Sequence, residues 1–236
     1  MSLQQLASLY PVPSKVVLLD VLTSGFVAAK HAIFAFGVGD ATTVCIGWLR
    51  DDYARYDYQL PNVLEFDKMP EKLDSQRDSY LTQGQVYGLP SDFLTSRESS
   101  CEPYEAAKLL YELLQTFEAN GTCLAGHGTV SFTAPFVKNF LDWHGFDGSV
   151  FNRVQQYDTA VFKKAMCNDI VPTEGEAWDS FSARVLKART SGRWNLAACA
   201  AEFDLVTDPE LDVVANNRKM VAQLMGVYRN AIAVAA

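Results

Sequence analysis

The sequence predicts an α/β protein with a mixed sheet of about five strands flanked by helices. Val16 to Leu19 form a short apolar run that ends at Asp20, and such a run is typical of a central strand covered on both faces. Two further strand-like runs follow it directly, which indicates an antiparallel start to the sheet. Beyond residue 101, short apolar strands alternate with helical patterns, which makes the sheet mixed.

The first half of the chain contains the antiparallel part of this sheet. His31 to Gly39 predicts the second strand and Thr42 to Leu49 the third, with a hairpin at Gly39-Asp40 between them. Residues 50–101 then lose any regular pattern and include three prolines. We interpret them as an irregular excursion within a single domain that covers residues 1–236, because no linker divides the chain.

The clearest helix of the second half covers Pro103 to Gly121. Proline suits the first turn of a helix, leucines recur on one face, and Asn120-Gly121 ends the pattern. The remaining elements, in order, are a buried strand over Thr122 to His127, a helix over Phe132 to Phe146, a brief strand that runs into a helix near Thr159, and two closing helices over Arg193 to Leu205 and Asp212 to Ala235.

Composition limits the class of protein. The chain has 236 residues, 49% of them hydrophobic, and a formal net charge of −8, so no overall basic field attracts nucleic acid. The five cysteines are scattered and never occur as C-x-x-C, which argues against a zinc site or a disulfide framework. Because neither a membrane-spanning run nor a signal pattern occurs, we expect a cytoplasmic protein with no membrane contact.

Several short motifs occur along the chain in a fixed order. The first is "LLDVLTSG", followed by "HAIFAFGVG". Next comes "GHGTVSFTAPFVKNFL", and then "YDTAVF", "RWNLAAC" and "DVVANNRKMVA". Together they resemble the motifs of the DnaQ-like (DEDD) 3′–5′ exonucleases of the ribonuclease H-like superfamily, from Val16 to about Tyr228 but without residues 50–101. The resemblance implies a ribonuclease H-like sheet, and a different mixed α/β fold is the alternative.

The resemblance also implies phosphodiester hydrolysis by two divalent ions, which several carboxylates hold while a histidine acts as base. Position by position, this chain keeps only Asp20, the first carboxylate. The other positions of the family site hold Leu22, Thr133 and Asn217 in place of carboxylates, and Asp212 in place of the histidine. Asp20 and Asp212 are therefore the candidate catalytic residues of a vestigial site, and Asp20 is a weak candidate metal ligand.

These substitutions favour a divergent, non-catalytic exonuclease homologue that acts as a binding or scaffolding protein and needs no cofactor. The alternative is an active or weakly active exonuclease on single-stranded nucleic acid, which would use Asp20, Asp212 and Mg²⁺ or Mn²⁺. Asp20 itself is open to two readings, because an acid at a strand end also accepts hydrogen bonds from turn amides.

Four residues are candidates for contact with nucleic acid through the same resemblance: Thr23, His127, Phe132 and Arg193. Each also has an ordinary structural interpretation. Thr23 lies in a tight turn, His127 suits a buried strand end, and Phe132 suits a helix core. Arg193 closes a basic cluster with Arg184, Lys187 and Arg189 that Trp194 follows, a pattern that suits either a solvated face or a phosphate track.

A protein partner is favoured over single-stranded nucleic acid. A groove that lacks metal ions needs lysine and arginine to neutralise phosphates, yet the chain has 20 basic and 28 acidic residues. The excursion over residues 50–101 is rich in tyrosine, a residue type that is enriched at protein interfaces. The same tyrosines would also serve to pack a long loop onto the sheet.

Overall fold

A mixed sheet organises the part of the chain that the structure describes. The computed structural model describes residues 1–23, 28, 33–39, 45–49, 100–101, 103–189, 194–209 and 213–233. Its strands are β1 (Val16–Thr23), β2 (Ile33–Gly39), β3 (Cys45–Leu49), β4 (Ser100–Cys101), β5 (Cys123–Gly126) and β6 (Gln156–Asp158). Their order across the sheet is β4-β3-β2-β1-β5-β6. The predicted mixed α/β architecture is confirmed.

Strand β1 lies in the interior of the sheet. It pairs antiparallel with β2, so that Asp20 faces Gly37, and parallel with β5, so that Leu18 faces Ala125. Strand β3 continues the antiparallel part beside β2. The three-stranded antiparallel start and the central place of the Val16 to Leu19 run therefore agree with the sequence prediction.

The described sheet has one strand more than the expected number of about five. The addition is β4, a two-residue strand that pairs parallel with β3 at the end of the predicted excursion. Of the predicted hairpin at Gly39-Asp40, Gly39 ends β2, whereas Asp40 lies outside the described residues, as do residues 50–99 of the excursion.

Eight α-helices and one π-helical turn accompany the sheet among the described residues. They are α1 (Leu3–Leu9), α2 (Pro103–Asn120), the π-helical turn (Thr129–Thr133), α3 (Ala134–Trp143), α4 (Val150–Arg153), α5 (Thr159–Cys167), α6 (Trp178–Lys187), α7 (Leu196–Phe203) and α8 (Val213–Ala233). Helices α1, α4 and α6 were not predicted from the sequence. In α1, the Ser2 hydroxyl accepts from the backbone N–H of Gln5, and the Gln5 side chain accepts from the backbone N–H of Ser2.

Helices cover both faces of the sheet, as the doubly apolar β1 strand requires. Leu19 packs into one core layer with Phe140, whereas its neighbour Leu18 packs into the opposite layer with Tyr228. Successive side chains of a strand point to opposite faces, so a single apolar run supplies both layers. No helix among the described residues is long and apolar enough to cross a membrane.

A buried carboxylate joins three segments at one end of the sheet. Asp158 ends β6 and is 0% exposed. Its Oδ1 atom accepts from the backbone N–H groups of Gly128 (2.8 Å) and Ala160 (3.0 Å), and its Oδ2 atom accepts from Val130 (3.1 Å). Burial raises the pKa of Asp158, while these N–H donors and His127 act to lower it. The same side chain thus caps α5 and fixes the backbone in front of α3.

Replacing this carboxylate should destabilise the fold strongly. Asp158→Ala leaves three backbone N–H groups without their acceptor, so we expect the free energy of unfolding to fall by about 3 kcal/mol or more. Asp158→Asn keeps one acceptor oxygen and should cost less. Urea denaturation measures both variants. The matched control is Asp179→Ala, which removes an exposed acid from the first turn of α6 and should change stability by less than about 1 kcal/mol. Equal losses for Asp158→Ala and Asp179→Ala would contradict the role given to Asp158.

Candidate functional site

A carboxylate–amide pair joins the central strand to the closing helix. Asp20 lies in β1 and Asn217 in α8, separated by 197 positions in the sequence, and the Asn217 Nδ2 group donates to the Asp20 Oδ2 atom at 2.9 Å. Asp20 is partly exposed. Helix α8 contacts both β1 and β2, which sets the amide beside the strand. The structure therefore brings together two of the positions that the sequence analysis assigned to the vestigial site.

The other assigned positions carry side chains of different chemistry. Leu22 lies two residues beyond Asp20, on the same face of β1, and is 2% exposed. Thr133 ends the π-helical turn, which contacts β1, and is 4% exposed. π-Helical turns are rare and occur often at functional sites. Asp212, the remaining assigned residue, lies outside the described residues.

These side chains do not fit a pair of divalent ions. Hard cations require several anionic or carbonyl oxygens, but the Leu22 side chain has no oxygen and the Asn217 amide presents an N–H group to Asp20. Within the described ranges, no group of three or more histidine, cysteine, aspartate or glutamate side chains is arranged to hold a metal ion. The described part of the site thus offers one carboxylate where the family resemblance implies several.

His127 connects the end of β5 to two other segments. Its Nδ1 atom lies 3.0 Å from the Thr159 hydroxyl, and its Nε2 atom lies 2.8 Å from the carbonyl oxygen of Trp194. The Thr159 hydroxyl also lies 3.0 Å from the carbonyl oxygen of Gly126. Burial lowers the pKa of His127, and the Asp158 carboxylate opposes this shift. The ring therefore ties β5, α5 and the segment in front of α7 together.

The other candidates for nucleic-acid contact are spread over several elements. Thr23 ends β1 and is buried. Phe132 lies in the π-helical turn, is partly buried, and its ring centroid lies 4.9 Å from that of Phe136. Arg193 lies outside the described residues.

The basic residues near the chain's second half differ in their surroundings. Arg184 is exposed but forms two hydrogen bonds with Glu176, which neutralises its charge locally. Lys163 is paired with Glu202. By contrast, Lys164 is buried, and its Nζ atom lies 5.1 Å from the centroid of the Trp194 ring. Nothing in the local sequence of Lys163-Lys164 indicates that one of the two lysines lies against Trp194.

Asp158 was also missed as a structural centre. The sequence analysis used "YDTAVF" only as part of a family resemblance. An aspartate directly before a predicted helix is a typical N-cap pattern, and this signal predicts one of its three hydrogen bonds. The bonds to Gly128 and Val130 cross 30 and 28 positions of sequence and have no local signature.

Solved structures with a similar fold are exonucleases. E. coli exonuclease I in complex with a dT13 oligonucleotide matches with a TM-score of 0.56 and 14% sequence identity, over 91% of this chain and 41% of that one. The fold is that of the ribonuclease H-like exonucleases. A product-bound exonuclease I matches with a TM-score of 0.55 and 13% identity, over 94% of this chain and 45% of that one.

An ExoI/SSB-Ct complex matches with a TM-score of 0.55 and 12% identity, over 94% of this chain and 43% of that one. This chain therefore spans less than half the length of these exonuclease I chains. No protein-family model matches the chain, and no curated protein matches it in sequence. The likeness to exonuclease I shows the shared fold.

Replacing Asn217 with aspartate tests how much the Asn217–Asp20 hydrogen bond contributes to stability. Asn217→Asp sets two like charges at hydrogen-bond distance, which raises the pKa of one carboxyl in the folded state. A raised folded-state pKa contributes stability below the unfolded-state pKa that is lost as the pH rises through the folded-state pKa. We therefore expect the variant to be less stable than the wild type by about 1–2 kcal/mol at pH 7 and to regain stability on acidification.

Thermal melting at several pH values, with and without Mn²⁺, measures this effect. Mn²⁺ should raise the melting temperature of Asn217→Asp more than that of the wild type, because the cation separates the two charges. Asn152→Asp makes the same chemical change at an exposed position and serves as the control. A variant that melts like Asn152→Asp at every pH would show that Asp20 and Asn217 do not interact as described.

Proposed function

We propose that this chain is a non-catalytic relative of the 3′–5′ exonucleases that acts as a binding or scaffolding protein. The observation that carries the proposal is the hydrogen bond from Asn217 to Asp20. An amide N–H group stands where a two-ion site needs a further anionic oxygen, and it occupies an oxygen of the one carboxylate that remains. The amide thus donates a hydrogen bond to the carboxylate that would bind a cation in an active site of this fold.

The chemistry of the neighbouring positions supports the same conclusion. In two-ion hydrolysis the cations activate water and stabilise the leaving oxygen, so each lost ligand weakens both tasks. Leu22 is buried and cannot be a ligand, and Thr133 offers only a neutral hydroxyl. With Asn217 neutral as well, these three positions provide no negative charge to hold the ions.

Two kinds of partner are consistent with the similar structures. Exonuclease I has been solved in complex with an oligonucleotide and as an ExoI/SSB-Ct complex. The net charge of −8 favours a protein partner for this chain, because it opposes nonspecific binding of nucleic acid. Single-stranded nucleic acid remains the second partner class, and it would require local cations.

A nuclease assay tests the proposal directly. A 5′-labelled single-stranded DNA and an RNA of the same sequence are incubated with the protein and millimolar Mg²⁺ or Mn²⁺, with EDTA as the blank. We expect no shortened product, because the described site lacks the carboxylates that would hold the ions. An active exonuclease provides the positive control.

The alternative, an active metal-dependent exonuclease, makes the opposite prediction for the same assay. Product that requires the metal and disappears in Asp20→Asn would establish hydrolysis at this site and overturn the proposal. Asn152→Asp again serves as the surface control. Product that survives Asp20→Asn would come from a contaminating nuclease and would leave the proposal standing.

A further inference from the structure

An aromatic ring backed by a buried ammonium group lies close to His127. We propose that Trp194 is a stacking site for a nucleobase of single-stranded nucleic acid, with Lys187 and Arg189 placed to meet the phosphates. This inference rests on the proposed binding function in its second partner class, single-stranded nucleic acid, and gives that class a location on the surface. We call Trp194, Lys164, Lys187 and Arg189 the Trp194 platform.

Lys164 holds the ring against the last turn of α6. Its Nζ atom donates to the carbonyl oxygen of Leu186 at 2.8 Å and lies 5.1 Å from the centroid of the Trp194 ring. Lys164 is 5% exposed, so its side chain is largely shielded from solvent. One side chain therefore connects α5, which carries it, with α6 and with the segment that precedes α7.

The ammonium group of Lys164 contacts the indole ring and a backbone carbonyl oxygen. Lys164 forms no ion pair with an acid among the described residues, whereas its neighbour Lys163 is paired with Glu202. Burial lowers the pKa of Lys164, which is the expected effect on a cation with few compensating groups. The electron-rich face of an indole attracts a cation, and the cation in turn draws electron density toward itself. The opposite face then offers a better surface for an electron-rich base.

The backbone of the platform is fixed before any ligand binds. The carbonyl oxygen of Trp194 lies 2.8 Å from the His127 Nε2 atom, and the next residue, Asn195, caps α7 by accepting from the backbone N–H of Ala198 at 2.9 Å. Trp194 is nevertheless partly exposed. A ring that is already held in place loses little freedom on stacking, which favours binding.

The charges around the ring favour a nucleotide chain over a peptide. Lys187 and Arg189 are exposed, lie directly after the Leu186 carbonyl that anchors Lys164, and form no ion pair within the described ranges. An aromatic surface beside unpaired cations is the arrangement that binds single strands without base specificity. With two phosphate contacts, the logarithm of affinity should fall with the logarithm of salt concentration with a slope of about −1.4.

The platform also lies near the candidate site. Leu18 of β1 faces Ala125 of the parallel strand β5, and Asp20 and His127 each follow these residues by two positions, so both lie toward the same end of the sheet. His127 is the residue that contacts the Trp194 carbonyl. A strand of nucleic acid stacked on Trp194 would therefore be held at the same end of the sheet as Asp20.

Fluorescence anisotropy tests this proposal. A fluorescein-labelled oligothymidylate and an abasic oligomer of equal length are titrated with the protein in EDTA at about 50 mM salt, where the electrostatic contribution is large. Trp194→Ala should weaken oligothymidylate binding about tenfold and leave binding of the abasic oligomer unchanged, because only the first has bases to stack. Trp194→Phe should keep most of the affinity. Lys164→Met, which keeps the alkyl stem, should lose part of it.

The matched control is Trp143→Ala, which removes a partly exposed tryptophan at the end of α3. It should bind oligothymidylate like the wild type. Circular dichroism melting of each variant separates a lost contact from a lost fold, and the Trp194→Phe variant remains informative if Trp194→Ala melts early.

Several outcomes would overturn the platform: no binding of oligothymidylate by the wild type, equal affinity for the abasic oligomer, or equal affinity of Trp194→Ala and Trp143→Ala. EDTA removes metal-dependent hydrolysis from this experiment. The nuclease assay and the binding assay can therefore fail separately, the first against the loss of catalysis and the second against Trp194 as the stacking site.

Discussion

The carboxylate of Asp158 is the interaction on which the candidate site depends. It is fully buried at the end of β6, and it accepts hydrogen bonds from the backbone N–H groups of Gly128 and Val130, after β5, and of Ala160, in α5. Those bonds set the start of α5 and the π-helical turn before α3 at once. As a result, Thr159 is in position to contact His127, and Thr133 is held against β1. A side chain outside the proposed binding site thus determines where the surrounding groups lie.

Two different electrostatic solutions occur within this region. At Asp20, the neutral amide of Asn217 donates a hydrogen bond to the carboxylate. At Lys164, the ammonium group contacts the π-face of Trp194 and donates to a carbonyl oxygen, and it has no ion pair with an acid among the described residues. In each case a neutral polar group contacts a buried or partly buried charge.

The sequence allowed the sheet to be predicted from local patterns, because the apolar run before Asp20 requires a covered central strand. The assignment of Asn217 to the same site as Asp20 came from the family resemblance, and the structure places the two side chains in contact. Helix α6 was missed because Ala177, at its N-cap, provides no side-chain cap that would mark its start. Likewise, the contact between His127 and Trp194 joins residues 67 positions apart through a backbone oxygen, and no side-chain pattern encodes such a contact. Long-range hydrogen bonds to the main chain could therefore not be predicted from the sequence.

The hydroxyl of Thr159 has a single hydrogen but two neighbours that accept one. Because the Trp194 carbonyl is only an acceptor, the Nε2 atom of His127 must carry a hydrogen, and a neutral ring then leaves a lone pair at Nδ1. The Thr159 hydroxyl can then donate either to that lone pair or to the Gly126 carbonyl oxygen, but not fully to both. When the ring takes a second proton, Nδ1 becomes a donor to the Thr159 oxygen, and the Thr159 hydroxyl donates only to the Gly126 carbonyl oxygen. The protonation state of His127 thus sets the direction of the hydrogen bond between His127 and Thr159, in the chain of contacts that runs from Gly126 to the Trp194 carbonyl.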